Sequence, residues 1–563
     1  MRAEVWAPAA TEVACRTLGT DIALERDPRG WWRGPLLADG QDYAFLVDGN
    51  GPFPDPRSPR QPTGVHGPSR AFDTGAFAWT DGDWAGRDVL GAVFYELHVG
   101  TFTPAGTLDA AAAELSRLAS IGIEVVELMP LAPMPGTRGW GYDGVSLFAV
   151  FEQYGGPAAL QRFVNAAHRE GLAVALDVVY NHLGPDGNYL AQFGPYFTSA
   201  HTTPWGDAIN LDQPGSDEVR RYLIDNALRW YREFHLDALR LDAVHALVDT
   251  SAHPFLAQLT EETAAAEQSR PFTLIAESDL NDVTMITPTS EGGLGLDAQW
   301  DDDVHHALHA YLTGESTGLY EDFGTVEVLD TAMRQVFVHT GGWSSFRGQA
   351  WGRPVPAGTD RRRFVVYAAN HDQIGNRALG DRMSTYVSAG TQAAALALVL
   401  LSPFTPLIFQ GDEYGETRPF AFFCDHAQPL GAAVTAGRRA EFARHGWPAD
   451  APIPDPQDEA TFRACVLEAS GGSDAIRTWF ATLIDARRLT LTEGAWDENP
   501  VRITERAPRQ VTMTGPVRMH ANLSPEPVAY EGRPLAAFGT AAVDGSGFVL
   551  EPDSVALVRA MRG

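Results

Sequence analysis

The sequence predicts an α/β protein built around a (β/α)₈ TIM barrel, with an N-terminal β-sandwich and a C-terminal β-domain. The first observation behind this prediction is that short apolar runs alternate with stretches of helical periodicity through the middle of the chain. The second is that eight such runs occur, which is the number that closes a parallel barrel. The third is a change to short strands and turns at both ends of the chain.

Residues 1–85 are predicted to form the N-terminal β-sandwich. AEVWAP, WWRGPL and DYAFLVDG are short apolar runs separated by glycine, proline and aspartate, a pattern typical of strands joined by turns. The segment PFPDPRSPRQPTGVHGPS, at 52–69, is rich in proline and glycine, and it is predicted to be an ordered wrap or a linker.

Residues 86–490 are predicted to form the barrel, with a short insertion after the third strand at about 183–215. Stretches such as LDAAAAELSRLASI, ALQRFVNAAHREG and SDEVRRYLIDNALRWYREF have apolar positions three and four residues apart and are assigned to the surrounding helices. An open doubly wound sheet is the alternative, but it usually has fewer strands and a glycine-rich phosphate turn, which we do not find. The eight strands are assigned to residues 92–98, 123–130, 173–180, 236–244, 272–278, 296–300, 363–370 and 405–411.

Residues 491–563 return to short strands and turns and are predicted to form a C-terminal β-sandwich. The longest apolar run, AAALALVLLSPFTPLIF at 393–409, contains Pro403 and Pro406, so it is a poor membrane span and is predicted to be a buried helix followed by a strand. The N-terminus carries acids where a signal peptide needs an unbroken apolar run. We therefore expect a cytoplasmic protein.

The charge balance limits the partners that the protein can bind. There are 42 Lys+Arg against 72 Asp+Glu, for a net charge of -30, which repels nucleic acid and anionic membranes and suits a neutral substrate. The three cysteines, Cys15, Cys424 and Cys465, are widely separated and show neither a disulfide framework nor metal-ligand spacing.

Polar residues gather at the predicted C-terminal ends of the strands, where barrels of this type hold their functional groups. Arg240 and Asp242 lie two residues apart, so they share one face of their strand. Arginine beside aspartate keeps the carboxylate ionised and oriented, as a nucleophile requires. A purely structural salt bridge is the alternative. The other polar residues at strand ends are Asp177, Asn181, His182, Glu277, Asn370, His371 and Asp372.

The two further carboxylates point to acid–base chemistry. Glu277 follows the apolar residues of TLIAE, so burial is expected to raise its pKa, as a general acid requires. Asp372 has the alternative role of a helix cap. Aromatic side chains near these carboxylates, among them Tyr142, Trp140 and Trp300, suit the apolar faces of a sugar ring. Metal-assisted chemistry is the competing mechanism.

Four motifs resemble the signature regions of the α-amylase superfamily, glycoside hydrolase family 13. They are DVVYNH, ALRLDAVHA, LIAES and AANHDQ, in the order and at the spacing of that superfamily. The N-terminal sandwich resembles its accessory, carbohydrate-binding domain. Further segments, including GTRGWGYDGVSLF, NHDQIGNR and SPFTPLIFQGDEYGE, resemble the trehalohydrolase branch. This resemblance implies retaining cleavage of the α-1,4 bond next to a terminal α,α-1,1-linked trehalose unit of maltooligosyltrehalose, releasing trehalose and a maltooligosaccharide.

The resemblance also implies a role for each site residue. Asp242 matches the nucleophile, Glu277 the acid/base and Asp372 the third carboxylate, which stabilises the transition state. The expected substrate-binding residues are Arg240, which orients the nucleophile, Asp177 behind the site, Tyr142, which stacks on the sugar, His182 and His371 at the cleavage site, and His245 near the leaving group.

Two departures accompany the resemblance. Ala149-Val150 stands where relatives are expected to have Ala-Pro, and Asn181 matches a calcium ligand of many amylases without other evident ligands. No metal or cofactor is therefore expected. The expected partners are α-glucan oligosaccharides and, in function, a maltooligosyltrehalose synthase. The alternatives are a glycogen branching enzyme and a non-catalytic glycan-binding protein on the same fold.

Overall fold

A computed structural model describes residues 1–266, 270–444, 451–468, 471–491, 496 and 500–559. Its centre is a closed barrel of eight parallel strands in which the last strand pairs with the first. Each strand falls inside a range predicted from the sequence, so the barrel is confirmed. The strands are β1 Phe94–Leu97, β2 Val125–Leu128, β3 Ala173–Val178, β4 Ala238–Leu241, β5 Thr273–Ala276, β6 Ala298–Trp300, β7 Phe364–Tyr367 and β8 Thr405–Phe409.

Amphipathic helices surround the barrel. The helix Ser216–Phe234 has the limits of the sequence stretch SDEVRRYLIDNALRWYREF, and it begins and ends beside left-handed residues, Gly215 and His235. The predicted stretch LDAAAAELSRLASI forms two short helices joined by i→i+3 hydrogen bonds, which tighten one turn. The described helices of four or more residues are Val99–Phe102, Leu108–Ala112, Leu115–Ser120, Gly156–Arg169, Ser216–Phe234, Phe255–Ala266, Asp302–Thr313, Val326–Gln335, His371–Gly375, Ala389–Leu400, Leu430–Arg444, Glu459–Cys465 and Asp474–Thr490.

The barrel interior changes from apolar to polar along its axis. Phe94 and Val125 belong to a buried apolar cluster in the lower part of the barrel. Two residues further along the same strands, Glu96 and Glu127 are register partners with 1% exposure each. On the neighbouring strands Asp177 and Arg240 are also register partners. Because parallel strands run in one direction, this polar layer lies at the C-terminal mouth of the barrel.

β-Sheets lie at both ends of the chain. The N-terminal strands form one sheet from Arg2–Trp6, Trp31–Leu36 and Glu25–Arg26 and a second from Thr20–Ala23, Val13–Thr17, Asp42–Val47, Asn50–Phe53 and Ser69–Arg70. The C-terminal sheets contain Arg502–Glu505, Gln510–Thr514, Val517–Asn522, Ser554–Arg559 and Pro534–Phe538 in one and Val528–Glu531, Gly547–Leu550 and Ala541–Asp544 in the other. The domain boundaries at 85 and 490 stay predictions.

Other parts of the chain pack onto the barrel. In the proline-rich segment, Arg60 binds Glu152 with two contacts of 2.5 and 3.0 Å, and Arg57 binds Asp225 at 2.8 Å. After β3, a hairpin of strands Phe197–Thr203 and Gly206–Ile209 lies within the expected insertion. The helix Ala389–Leu400 is buried on nearly all sides and precedes β8, as the sequence predicts. Among the described residues, no helix is long and apolar enough to span a membrane.

Candidate active site

A cleft of about 610 Å³ opens at the C-terminal mouth of the barrel. The three predicted catalytic carboxylates, Asp242, Glu277 and Asp372, all line it. They come from the ends of β4, β5 and β7, which are far apart in sequence but adjacent or close in the barrel. Parallel strands bring their C-terminal ends to one face of the barrel, and this places the three carboxylates in one cavity.

Arg240 is the centre of the charge network beneath the cleft. Its side chain is 0% exposed, and its Nη1 donates to Asp242 Oδ1 at 2.7 Å and to Asp177 Oδ2 at 2.9 Å. The guanidinium lies 4.3 Å from the ring centroid of Trp300, which adds a cation–π contact. A buried arginine flanked by carboxylates favours their ionised forms. Arg240 therefore orients the carboxylate of Asp242, which lines the cleft.

Asn181 fixes the other carboxylate oxygen of Asp242. Its amide nitrogen donates to Asp242 Oδ2 at 2.8 Å and to the Asp242 backbone oxygen at 2.6 Å. Asn181, which matches a calcium ligand of many amylases, thus holds the predicted nucleophile in this protein. Among the described residues, no group of three or more His, Cys, Asp and Glu side chains is arranged to hold a metal ion.

Glu277 is set up as a proton donor. Burial is the main cause that raises its pKa to about 8. Nearby carboxylates, among them Asp242, add to the rise, and Arg240, whose Nη2 is 3.7 Å away, opposes it. The backbone N–H of Ala243 donates to Glu277 Oε2 at 2.6 Å. Ala243 has a left-handed φ of 39°, a strained conformation for alanine that aims this N–H at Glu277.

His371 connects the far side of the cleft to the same network. Burial alone would lower the pKa of His371, but the carboxylates of Glu96 and Asp372 reverse this effect and raise it to about 9. The imidazolium donates through Nδ1 to the carboxylate of Glu96. Its Nε2 donates to Tyr142 Oη at 2.7 Å. Tyr142 Oη donates in turn to Asp177 Oδ2 at 2.6 Å. This chain of hydrogen bonds runs from Glu96 to Arg240.

The remaining predicted residues lie at the edges of the cleft. His182 contacts the backbone oxygen of Tyr142 at 3.0 Å and stacks on Trp205, with ring centroids 4.4 Å apart. His245 also lines the cleft, and its Nε2 lies 4.0 Å from Asp279 Oδ1. Asp372 opens onto the cleft and receives a hydrogen bond of 3.2 Å from Asn376.

Some residues at the site were not identified from the sequence. Glu96 is the next-to-last residue of β1, so its position near the C-terminal end of a barrel strand was the signal that could have found it. Trp205 lies between the two strands of the hairpin, and Arg438 lies on the helix Leu430–Arg444 after β8. Sequence periodicity gives no signal for these two, because their placement depends on how a loop and a helix pack over the barrel.

The chain is similar to known proteins over nearly its whole length. The family profile described as Alpha amylase, catalytic domain, matches residues 74–201. A malto-oligosyltrehalose trehalohydrolase of Arthrobacter ramosus is 50% identical, covering 99% of both chains. A protein of the same name from Rhizobium sp. (strain M-11) is 46% identical, covering 99% of this chain and 97% of its own. A crystal structure titled as a putative alpha amylase from Salmonella typhimurium is 35% identical, with a TM-score of 0.89 over 100% of this chain and 97% of that one.

Proposed function

The chain belongs to the malto-oligosyltrehalose trehalohydrolases of the α-amylase superfamily, and from that premise we propose how its residues perform the family's reaction. The protein is a retaining glycoside hydrolase that cleaves the α-1,4-glucosidic bond next to the terminal trehalose unit of maltooligosyltrehalose. Its proposed nucleophile is Asp242, its acid/base is Glu277, and Asp372 stabilises the transition state.

The main observation behind these roles is that the guanidinium of Arg240 lies beside both Asp242 and Glu277. Arg240 contacts Asp242 through Nη1 and approaches Glu277 through Nη2. Both carboxylates therefore face one small volume, which agrees with the close spacing of about 5–5.5 Å in retaining enzymes. A raised pKa at Glu277 beside an arginine-held Asp242 separates the proton donor from the nucleophile.

In the first step, Asp242 attacks the anomeric carbon and forms a glycosyl ester, while the bond from that carbon to the leaving oxygen breaks. The proton of Glu277 goes to that oxygen, so trehalose leaves with an intact hydroxyl. In the second step, Glu277 takes a proton from water, and the resulting hydroxyl attacks the same carbon and releases Asp242. The product of this step is the shortened maltooligosaccharide.

The other site residues bind and orient the sugar. The Asp372 carboxylate lies open to the cleft, and we assign it hydrogen bonds to sugar hydroxyls that strengthen in the transition state. His371 is protonated at neutral pH and supports this side of the ring together with Tyr142. His182 and Trp205 form an adjoining stacked surface, and His245 faces the leaving group from the rim.

The substrate and cellular context complete the proposal. An enzyme that converts the reducing end of a maltooligosaccharide into a 1,1-linked unit, a maltooligosyltrehalose synthase, must supply the substrate. A cytoplasmic location agrees with such a partner and stays part of the proposal. The net charge of -30 gives no support for nucleic acid as a partner.

Product analysis tests the function directly. The purified protein is incubated in parallel with maltooligosyltrehalose and with amylose, and the products are separated by chromatography. Release of trehalose from the first substrate supports the proposal. New α-1,6 branch points in amylose would instead identify a branching enzyme, and absence of turnover on both substrates would leave a glycan-binding protein.

A further inference from the structure

Arg438 lies on the helix Leu430–Arg444, which follows the barrel and forms one wall of the cleft. Val434, Arg438 and Glu441 line the cleft, and their spacing of four and three residues puts them on one helix face. The side chain of Arg438 is 11% exposed, so it is held within this wall. None of the four signature motifs includes this helix.

The guanidinium of Arg438 is held in place by contacts on several sides. It lies 4.6 Å from the ring centroid of Phe442 and 5.7 Å from that of Phe422. Its Nη1 is 3.3 Å from Glu441 Oε2, an ion pair three residues apart on the same helix. These contacts restrict the rotamers of a long side chain, so its donors have fixed directions.

Two of these donors reach the segment that carries the third catalytic carboxylate. Arg438 Nη2 donates to the backbone oxygen of Gly375 at 2.6 Å, and Nη1 donates to Asn376 Oδ1 at 3.4 Å. Gly375 is the last residue of the short helix His371–Gly375, which contains Asp372. Arg438 thus binds the unsatisfied carbonyl end of that helix, where a cation is favourable.

The contact with Asn376 fixes which way its amide points. A guanidinium has donors and no acceptor, so the amide oxygen must face Arg438. The amide nitrogen then faces the opposite side, where it donates to Asp372 Oδ1 at 3.2 Å. Without Arg438 the amide is free to turn its oxygen towards the carboxylate, which would repel it.

We propose that Arg438 is a positioning residue for Asp372 and acts through Asn376. The relay Arg438–Asn376–Asp372 holds the carboxylate in the orientation that receives sugar hydroxyls. Its effect falls mainly on kcat, because the contacts of Asp372 strengthen in the transition state. The inference rests on the proposed catalytic role of Asp372.

Steady-state kinetics on maltooligosyltrehalose test the relay. Arg438→Met keeps the length and the apolar contacts of the side chain but removes its donors. We expect kcat to fall by up to about 100-fold, because a misplaced catalytic group can cost about that much, while KM changes by less than about threefold. Arg439→Met is the matched control, because Arg439 is the exposed neighbour on the same helix, and it should keep wild-type kinetics.

The pH profile separates positioning from a merely structural role. Burial raises the pKa of Asp372, and the donors of the relay oppose this rise, so the loss of Arg438 should move the acidic limb of kcat/KM to higher pH. Arg438→Lys keeps the charge but cannot reach both acceptors in fixed geometry, so its kcat should lie between those of wild type and Arg438→Met. An unmoved acidic limb in Arg438→Met would overturn the proposal.

A double-mutant cycle with Asn376→Ala tests whether the two residues act in series. In a single relay the double variant should lose no more kcat than the worse single variant, whereas additive losses would show separate roles and overturn the proposal.

If Arg438→Met does not fold, Asn376→Ala alone should still lower kcat and shift the acidic limb of kcat/KM. Wild-type values of both quantities in Asn376→Ala would reject the relay. Asp372→Asn distinguishes failure of the relay from failure of the proposed function. Full activity of Asp372→Asn would reject the proposed function. An inactive Asp372→Asn together with wild-type kinetics of Arg438→Met would reject only the relay.

Discussion

At the residue scale, environment gives chemically similar carboxylates different tasks. Asp242 is held in a fixed orientation by hydrogen bonds from Arg240 and Asn181. Glu277 is buried, and its pKa rises to about 8, so it carries a proton at neutral pH. The two roles of a retaining mechanism are thus divided by the partners that surround each carboxylate.

Asp242→Asn is expected to remove nearly all turnover, because the amide cannot form the glycosyl ester. The loss should reach several orders of magnitude in kcat. Trehalose release measures this loss, and circular dichroism checks that the fold survives. Near-normal activity in the folded variant would show that the nucleophile is another residue.

The pH profile of kcat/KM is expected to be bell-shaped, with its basic limb set by Glu277. Because the pKa of Glu277 is about 8, the group is protonated and active below that pH and is ionised above it, when it no longer protonates the leaving oxygen. Glu277→Gln should flatten the basic limb and strongly lower turnover. Initial rates measured over a pH series check this.

A substrate with a good leaving group provides the control for Glu277. Such a group departs without protonation, so its glycosylation step should suffer far less in Glu277→Gln than that of the natural substrate. Equal slowing of both substrates would move the acid role to another carboxylate.

The same shift in the pKa of Glu277 predicts an effect on stability. Between the pKa of an unfolded glutamate and about 8, the native state binds more protons than the unfolded state, so this group lowers stability as pH rises through that window. Glu277→Gln should therefore be stabilised relative to wild type more at pH 9 than at pH 4. Thermal unfolding at both pH values tests this, and an equal difference in Tm would contradict it.

At the element scale, the segments that follow the barrel strands supply the carboxylates, and a hairpin and a helix outside the barrel supply walls of the cleft. The hairpin Phe197–Thr203 and Gly206–Ile209 brings Trp205 over His182. The helix Leu430–Arg444 brings Arg438 to the other side. Chemistry is thus placed on the rigid sheet, whereas the shape of the cleft depends on packed peripheral elements.

Trp205→Ala is expected to weaken substrate binding more than catalysis. Trp205 is 50% exposed and stacks on His182, so it offers an aromatic face at the cleft. An aromatic contact of this kind contributes about 0.5–1.5 kcal/mol, so kcat/KM should fall by up to about tenfold, mostly through KM. Steady-state kinetics measure the change, and a loss confined to kcat would argue against a binding role.

At the scale of the whole molecule, the proline-rich segment joins the N-terminal sheets to the barrel. Arg60 makes a bidentate contact with Glu152, beside the helix Gly156–Arg169, and Arg57 reaches Asp225 on the helix Ser216–Phe234. The side chains of Arg60 and Glu152 are 31% and 23% exposed. These half-buried pairs attach the N-terminal region to helical elements around the barrel, and none of their four residues lines the cleft.

Activity is expected to be unaffected by chelators. Asn181 donates a hydrogen bond to Asp242, and no cluster of potential metal ligands occurs among the described residues. Trehalose release before and after treatment with EDTA checks this expectation. Loss of activity that added calcium restores would show that Asn181 and its surroundings bind a metal.

The sequence by itself determined the barrel and most of the chemistry of its mouth. Short apolar runs between helical stretches identified the strands, and parallel closure brings all of their C-terminal ends to one face, whatever their distance in sequence. Arg240, Asp242 and Glu277 could therefore be predicted to meet, and the structure brings them together. Their individual roles rested on the family motifs as well.

Only the tertiary structure decided which groups surround that chemistry. The bond between Glu96 and His371 joins residues 275 positions apart, and Arg438 meets Asn376 across 62 positions. The sequence periodicity of the hairpin and the helix around the cleft does not predict where they pack, because their positions follow from side-chain contacts with the folded barrel. The same contacts set the pKa of Glu277 and His371, since burial and neighbouring charges exist only once the chain has folded.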